Sequence, residues 1–129
     1  PEIRLSDEGK AEVVLAQNRL GHYVARGTIN EMSVTFLLDT GATQVSIPAH
    51  IADKLNLSSK GNYRVQTANG SVTVYKTTLD QLSIGNILLY NVAAHINPAM
   101  QADEILLGMS ALKQLDFHQT GKQLILREP

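Results

Sequence analysis

The chain has 129 residues, 43% of them hydrophobic and 18% charged, which is the composition of one globular domain rather than of a disordered segment. Its 11 basic and 12 acidic residues give a net charge of -1, and because the basic residues form no run, the sequence argues against nucleic acid as a partner. The absence of cysteine excludes disulfide scaffolds, thiol nucleophiles and cysteine-ligated metal sites.

Short segments rich in Val, Leu, Ile and Thr, separated by turn residues, predict a chain built mostly from β-strands. In chain order, the predicted strands are Glu12–Ala16, His22–Ile29, Ser33–Leu38, Tyr63–Ala68, Ser71–Leu82, Ile87–Ile96, Ile105–Gly108 and Gln123–Arg127. Asn30-Glu31-Met32 predicts a hairpin between the second and third strands. Asn69-Gly70 predicts a hairpin between the fourth and fifth, and is the strongest turn signal in the chain.

Helical signals are few. Pro48 suits the first turn of a helix that runs to about Leu55, and Ser110 suits the N-cap of a second short helix over Ala111 to Leu115. Many closely spaced strands and one or two short helices predict an all-β fold, a small closed barrel or folded sheet. No linker or repeat divides the sequence, so we expect residues 1–129 to form a single domain.

Most familiar catalytic and cofactor patterns are absent from the sequence. The four histidines, His22, His50, His95 and His118, are spread along the chain without the spacing of metal ligands and are interpreted as surface or half-buried side chains. No nucleophile elbow and no glycine-rich phosphate loop occurs. The sequence therefore predicts neither a metal nor any other cofactor.

One segment, Phe36–Thr43, has a distinctive pattern: Phe-Leu-Leu-Asp-Thr-Gly-Ala-Thr. A strand of large apolar residues ends in a carboxylate, which places Asp39 at the mouth of a buried strand, where its charge is costly. Gly41 allows the backbone to turn sharply and leaves room for another segment to approach. Taken alone, the pattern also fits a simple turn in which Asp39 accepts hydrogen bonds from loop amides.

Further segments follow in a set order: the first helix, the hairpin at Thr67-Ala68-Asn69-Gly70, and then Leu106-Leu107-Gly108-Met109-Ser110 with the second helix. Together with Gly21-His22-Tyr23 and the Asp39 segment, this order resembles the retropepsin-like aspartic proteases, the half-size relatives of pepsin. The resemblance is closest to the bacterial single-domain (clan AA) branch and covers about residues 20–126. It implies a retropepsin-like (acid protease) barrel and an aspartic endopeptidase activity.

The resemblance also implies a role for each matching residue. Asp39 corresponds to the catalytic carboxylate, within an active-site loop that continues through Thr40, Gly41, Ala42 and Thr43. The flap that closes over the substrate corresponds to Thr67, Ala68, Asn69 and Gly70. Leu107 and Gly108 correspond to the strand end that supports the Asp39 loop from below.

Aspartic proteolysis uses two carboxylates that share a proton and activate a water. Only Asp39 stands in an Asp-Thr-Gly context, so the second carboxylate is expected from a second copy of the chain, in a homodimer. Gln123–Arg127 is the expected interface strand, since it would otherwise leave an open sheet edge. The expected substrate is a peptide or protein. The resemblance leaves room for a membrane anchor upstream of Pro1 and suggests a location at the cell envelope, on the periplasmic side of a membrane.

The sequence departs from the retroviral members at one place. These usually carry an acidic residue where Thr43 stands and an arginine followed by Asn or Asp where Met109 and Ser110 stand. Both sides of a buried ion pair are thus missing together, which leaves no orphan charge. Two alternatives stay open: a retropepsin-fold module that dimerises or binds peptides without turnover, and an unrelated small β-barrel that binds a ligand.

Overall fold

The structure, a computed structural model, describes residues 2–129, which form eleven strands and two short helices. They are β1 (Glu2–Leu5), β2 (Ala11–Ala16), β3 (Val24–Ile29), β4 (Met32–Leu38), β5 (Val45–Pro48), α1 (Ala49–Lys54), β6 (Asn62–Thr67), β7 (Gly70–Ile84), β8 (Ile87–Asn97), β9 (Ile105–Leu107), α2 (Met109–Leu112), β10 (Asp116–Thr120) and β11 (Gln123–Arg127). The predicted all-β class with two short helices is confirmed. Within the described residues, neither helix has the length and apolar character to cross a bilayer.

The larger sheet closes on itself and forms a barrel. Its strand order is β3-β4-β9-β5-β8-β7, and β3 also pairs with β7, which joins the two ends, while β6 pairs only with β7. At the closure, Gly27 of β3 lies so near Ser83 of β7 that a Cβ atom at Gly27 would overlap the Ser83 carbonyl oxygen. The missing side chain therefore permits β3 and β7 to approach each other.

The apolar core is shared by the barrel and the second sheet. Its largest fully buried side chains come from β2, β3, β4, β5, β7, β8, β9, α2 and β11, namely Leu15, Ile29, Phe36, Ile47, Leu79, Leu82, Ile84, Ile87, Ile105, Leu107, Leu112 and Leu126. Leu15 and Leu126 belong to the second sheet, so the barrel and that sheet share one cluster of buried side chains. Burying a side chain of this size contributes about 1.5–3 kcal/mol.

The second sheet is built from the two ends of the chain, in the order β1-β2-β11-β10. The expectation that Gln123–Arg127 presents an open edge is wrong, because β11 pairs with β2 on one side and with β10 on the other. The open edges belong to β1 and β10. The sequence did not predict either of these strands: all residues of both are exposed, and in β1 the alternation of Ile3 and Leu5 with charged residues extends over only four positions.

Two local predictions require adjustment. In the β6–β7 hairpin the loop residues are Ala68 and Asn69, while Gly70, with a φ of 109°, begins the returning strand. The second helix begins at Met109 with Gly108 at its N-cap, so Ser110 lies inside the helix and does not cap it. The predicted Asn30-Glu31-Met32 hairpin is present, although its loop is Asn30-Glu31 and Met32 begins β4, and the helix lies between Pro48 and Leu55 as predicted.

A charged row crosses the second sheet. The strand register places Arg4 of β1 and Arg127 of β11 on either side of Glu12 of β2. Arg4 Nε donates to Glu12 Oε1 at 2.6 Å, and Arg127 Nε donates to Oε2 at 2.6 Å. The Glu12 side chain is only 3% exposed. These hydrogen bonds, that from Arg4 foremost, hold the pKa of Glu12 below its usual value despite the opposing effect of desolvation.

This row makes the stability of the sheet depend on pH. Because the pKa of Glu12 is lower in the folded chain, its contribution is present above the pKa of the unfolded chain and is lost as pH falls through the folded value. We expect Glu12→Gln to lower the free energy of unfolding at pH 7, and the difference from wild type to shrink with acidification. Urea unfolding from pH 7 to pH 3 measures this. Glu8→Gln, in the exposed β1–β2 turn, is the control, and a difference that stays constant with pH would contradict the expectation.

Candidate active site

Asp39 stands directly after β4, at the point where the chain leaves the barrel wall. Parallel pairing places Leu38 beside Leu107 of β9, and the Asp39 N–H donates to the Leu107 carbonyl oxygen at 3.1 Å. The chain then turns back: the Gly41 N–H donates to Asp39 Oδ1 at 2.9 Å, and the Ala42 N–H donates to the Asp39 carbonyl oxygen at 3.2 Å. In a single chain Asp39 is half-buried, not enclosed, and its second carboxylate oxygen remains available.

The segment after β9 supports this loop from below. The Met109 N–H donates to the Ala42 carbonyl oxygen at 2.8 Å, and the Ser110 N–H donates to the Thr43 carbonyl oxygen at 2.9 Å. A Cβ atom at Gly108 would overlap the Gln44 carbonyl oxygen and lie 2.7 Å from that of Ala42. The backbones can therefore approach this closely only because residue 108 is glycine.

Ser110 joins the loop to a second part of the barrel. Its Oγ accepts a hydrogen bond from the Val45 N–H at 3.0 Å and donates to the Ala93 carbonyl oxygen of β8 at 2.7 Å. A buried neutral hydroxyl thus stands where the retroviral members have a charged or amide side chain. Thr43 is exposed and Met109 is half-buried, so neither requires a partner charge.

A cavity of about 350 Å³ opens beside the Asp39 carboxylate. Leu38, Asp39 and Thr40 line one side, and Phe117 and His118 of β10 line another. Asp39 is the only carboxylate among its lining residues. The cavity therefore holds one carboxylate beside an exposed threonine and the free edge of β10.

A larger cavity of about 600 Å³ lies between the loop and the β6–β7 hairpin. Ala42 and Thr43 of the loop and Thr67 of the hairpin line it together. The other residues assigned to the flap, Ala68, Asn69 and Gly70, lie at the hairpin tip and line neither cavity. Thr67 Oγ1 donates to the Gly70 carbonyl oxygen at 2.7 Å and accepts from the Asn69 N–H at 3.2 Å, which holds the tip together.

Three further residues of the larger cavity had no assigned role in the sequence: Ser46, Tyr63 and His95. Tyr63 Oη is hydrogen-bonded to His95 Nδ1 at 2.9 Å, and His95 Nε2 is hydrogen-bonded to Ser46 Oγ at 2.5 Å. Burial raises the pKa of Tyr63 and lowers that of His95, so both are neutral near pH 7. The sequence signal that could have pointed to this hydrogen-bonded group is a polar residue within each of the apolar strands β5 and β8.

Comparison with known proteins identifies the family. A model described as "gag-polyprotein putative aspartyl protease" matches residues 25–114, more than half of the chain. The "uncharacterized protein in cobV 5' region" of Sinorhizobium sp. is 34% identical over 120 residues, covering 91% of this chain and 52% of that protein. The "uncharacterized protein RP867" of Rickettsia prowazekii is 28% identical over 129 residues, covering 98% and 54%. The chain thus spans about half the length of these curated relatives.

Solved structures agree with the family match. The chain superposes on a retropepsin-like aspartic protease from Rickettsia conorii with a TM-score of 0.74 and 30% identity, covering 89% of this chain and 98% of that one. A foamy viral protease-reverse transcriptase shares the fold, with a TM-score of 0.51, 15% identity and coverage of 76% and 12%. The unrelated β-barrel binder is thereby excluded. The chain belongs to the aspartyl protease family of gag polyproteins, in its retropepsin-like branch, as the sequence predicted.

Proposed function

We propose that the protein is an aspartic endopeptidase that works as a homodimer and hydrolyses peptide bonds with a water activated by two Asp39 carboxylates, one from each chain. The observation that carries this proposal is the single, half-buried Asp39, the only carboxylate lining its cavity. One carboxylate cannot serve as general base and general acid in the same step. A second copy would supply the partner that one chain lacks.

The hydrogen bonding of Asp39 suits this chemistry. Oδ1 accepts the Gly41 N–H at 2.9 Å, which fixes the plane of the carboxyl group. Two such groups brought together about a twofold axis would share one proton, because like charges at that distance cannot both ionise. The ionised carboxyl would then take a proton from water, while the protonated one would donate to the carbonyl oxygen of the peptide.

The free edge of β10 is the surface on which we place the partner chain. Phe117 and His118 of β10 line the same cavity as Asp39 and Thr40, and Phe117 is 42% exposed. Pairing β10 with its copy around a twofold axis would make an isologous interface and would satisfy the unpaired backbone groups of the edge. The exposed Thr40 hydroxyl would then face the partner loop, as the family resemblance implies.

The alternative is a retropepsin-fold module that dimerises or binds peptides without turnover. Replacing Asp39 separates the two proposals, since a silent module loses nothing by the change. We expect Asp39→Asn to reduce peptide hydrolysis by about 10²- to 10⁴-fold, the range typical of general acid–base catalysis. The asparagine carboxamide oxygen can still accept the Gly41 N–H, so the fold should be retained.

Cleavage of a denatured protein mixture between pH 3 and pH 7, with and without an aspartic protease inhibitor, measures this effect. Asp53→Asn on the exposed face of α1 is the matched control and should retain full activity. Residual turnover of Asp39→Asn within tenfold of wild type would remove Asp39 from the catalytic role.

The proposed homodimer leads to a separate prediction. Adding a fourfold excess of Asp39→Asn chain to wild type should reduce activity to about one-fifth, because random pairing leaves few wild-type homodimers. A variant that carries both Asp39→Asn and Phe117→Asp should not inhibit, since the added charge prevents pairing at β10. Activity and sedimentation are measured on the same mixtures. Full activity in a demonstrated monomer, or no inhibition by excess Asp39→Asn, would disprove the dimeric site.

The hairpin tip can be tested through Gly70, whose φ of 109° favours glycine although nothing lies within 4 Å of a Cβ atom there. Gly70→Val should strain the turn by about 1–2 kcal/mol. If the hairpin closes over the substrate, kcat/KM should fall by about tenfold. Gly9→Val is the matched control, because Gly9 has a φ of 80° and equally open space in the β1–β2 turn. Equal kinetics in the two variants would show that the β6–β7 hairpin does not act as a flap.

A further inference from the structure

The larger cavity, between the Asp39 loop and the β6–β7 hairpin, has an unusual polar wall. Three neighbouring strands place one polar residue each at the same level: Ser46 of β5 pairs with His95 of β8, and His95 pairs with Lys76 of β7. The adjacent residues on these strands include Val45, Ile47 and Ala94, which are buried in the core. The alternation of the strands thus directs a row of polar side chains to the cavity and apolar ones to the barrel interior.

The hydrogen-bond chain in this wall has one hydrogen more than it can use internally. Tyr63, neutral His95 and Ser46 carry three polar hydrogens between them, and the two bonds Tyr63–His95 and His95–Ser46 use two. If Tyr63 donates to Nδ1, the spare hydrogen belongs to the Ser46 hydroxyl. If Nδ1 donates to Tyr63, the spare hydrogen belongs to the Tyr63 hydroxyl. Either tautomer leaves a hydroxyl at the cavity wall that requires an acceptor.

The charged lining of the cavity is positive only. Lys76 is the only charged side chain that lines it near pH 7, and its Nζ lies 5.5 Å from the centre of the Tyr63 ring. Within residues 2–129, no carboxylate oxygen lies within 4.0 Å of this ammonium group. Gln44, Gln66 and Asn97 add amide donors to the wall. The lining thus offers one unpaired cation, one spare hydroxyl hydrogen and several amides.

We infer that this cavity selects an acidic side chain of the bound peptide, with Lys76 as the residue that determines the preference. A carboxylate would accept from the hydroxyl and the amides and would pair with the ammonium group, whereas a basic side chain would face Lys76 without a partner. The inference rests on the proposed function for the position of the peptide. Ala42 and Thr43 of the loop line the same cavity, so a peptide that crosses Asp39 has a side chain within reach of it.

The test uses the Asp39→Asn chain, for which the proposed function predicts strongly reduced hydrolysis, so that binding is measured separately from turnover. Fluorescent peptides of one sequence carry Glu, Gln or Lys at a single position, and that position is moved along the peptide one residue at a time. At each position that reaches one of the two symmetry-related cavities of the proposed dimer, we expect Glu to bind about tenfold more tightly than Gln, the effect of a hydrogen-bonded charge pair, and Lys to bind most weakly.

Variants test whether Lys76 determines the preference for Glu. Lys76→Met, made in the same Asp39→Asn chain, should remove the distinction between Glu and Gln, and Lys76→Glu should reverse the order of Glu and Lys. Arg64→Met is the matched control, since Arg64 lies on the same hairpin but does not line the cavity, and it should leave the preference unchanged. If Lys76→Met and Arg64→Met lost the preference for Glu over Gln equally, the general charge of the hairpin would explain that preference. This result would overturn the inference.

Two outcomes distinguish this inference from the proposed function. If Glu and Gln peptides bind equally at every position, or if neither binds, the acidic preference is wrong whatever the turnover of the wild-type chain. If Glu is preferred through Lys76 but the wild-type chain cleaves no peptide, the proposed endopeptidase activity fails and the acidic preference stands.

Discussion

The position of the Asp39 carboxylate depends on a contact between two backbones. Gly108 lies beneath the loop so closely that a Cβ atom would overlap the Gln44 carbonyl oxygen, and a backbone carbonyl cannot move aside as a flexible side chain can. Hydrogen bonds from Met109 and Ser110 to the carbonyls of Ala42 and Thr43 then fix the loop at successive residues. The loop is therefore held from below by hydrogen bonds between uncharged peptide groups.

Ser110 adds a further uncharged support to the loop. Its hydroxyl, only 6% exposed as a residue, accepts from Val45 and donates to Ala93, and so links the loop to β8 across the barrel wall. An ion pair in the same place would carry a desolvation cost that the Coulomb attraction only sometimes offsets. Since neither Thr43 nor Met109 carries a charge, the neutral link leaves no buried ion that must be matched during folding or in an acidic medium.

Local patterns in the sequence predicted the turn after Asp39 and most strands, because apolar runs and turn residues identify each of them, and the family resemblance added the support of the loop by Gly108. Strand neighbours could not be predicted in this way. The expected open edge of Gln123–Arg127 was wrong because β11 pairs with β2, more than 100 residues earlier in the chain. The Ser46–His95 pair likewise spans 49 residues and depends on the β5–β8 register. β10 was missed because exposed residues on both faces give it no alternating pattern.

In the proposed dimer, the two cavities that the loop lines would serve two tasks. The cavity beside β10 contains the Asp39 carboxylate, an exposed Thr40 and an unpaired strand edge, all of which a symmetry-related copy could satisfy at once. The cavity beneath the hairpin contains Lys76 and the Tyr63–His95–Ser46 chain, and none of its lining residues belongs to the second sheet. A twofold axis through the first cavity would duplicate the second on both sides of the paired carboxylates. A peptide bound across the axis would then meet one Lys76 on each side of its scissile bond, so a charge preference set by one residue would act twice along a single substrate.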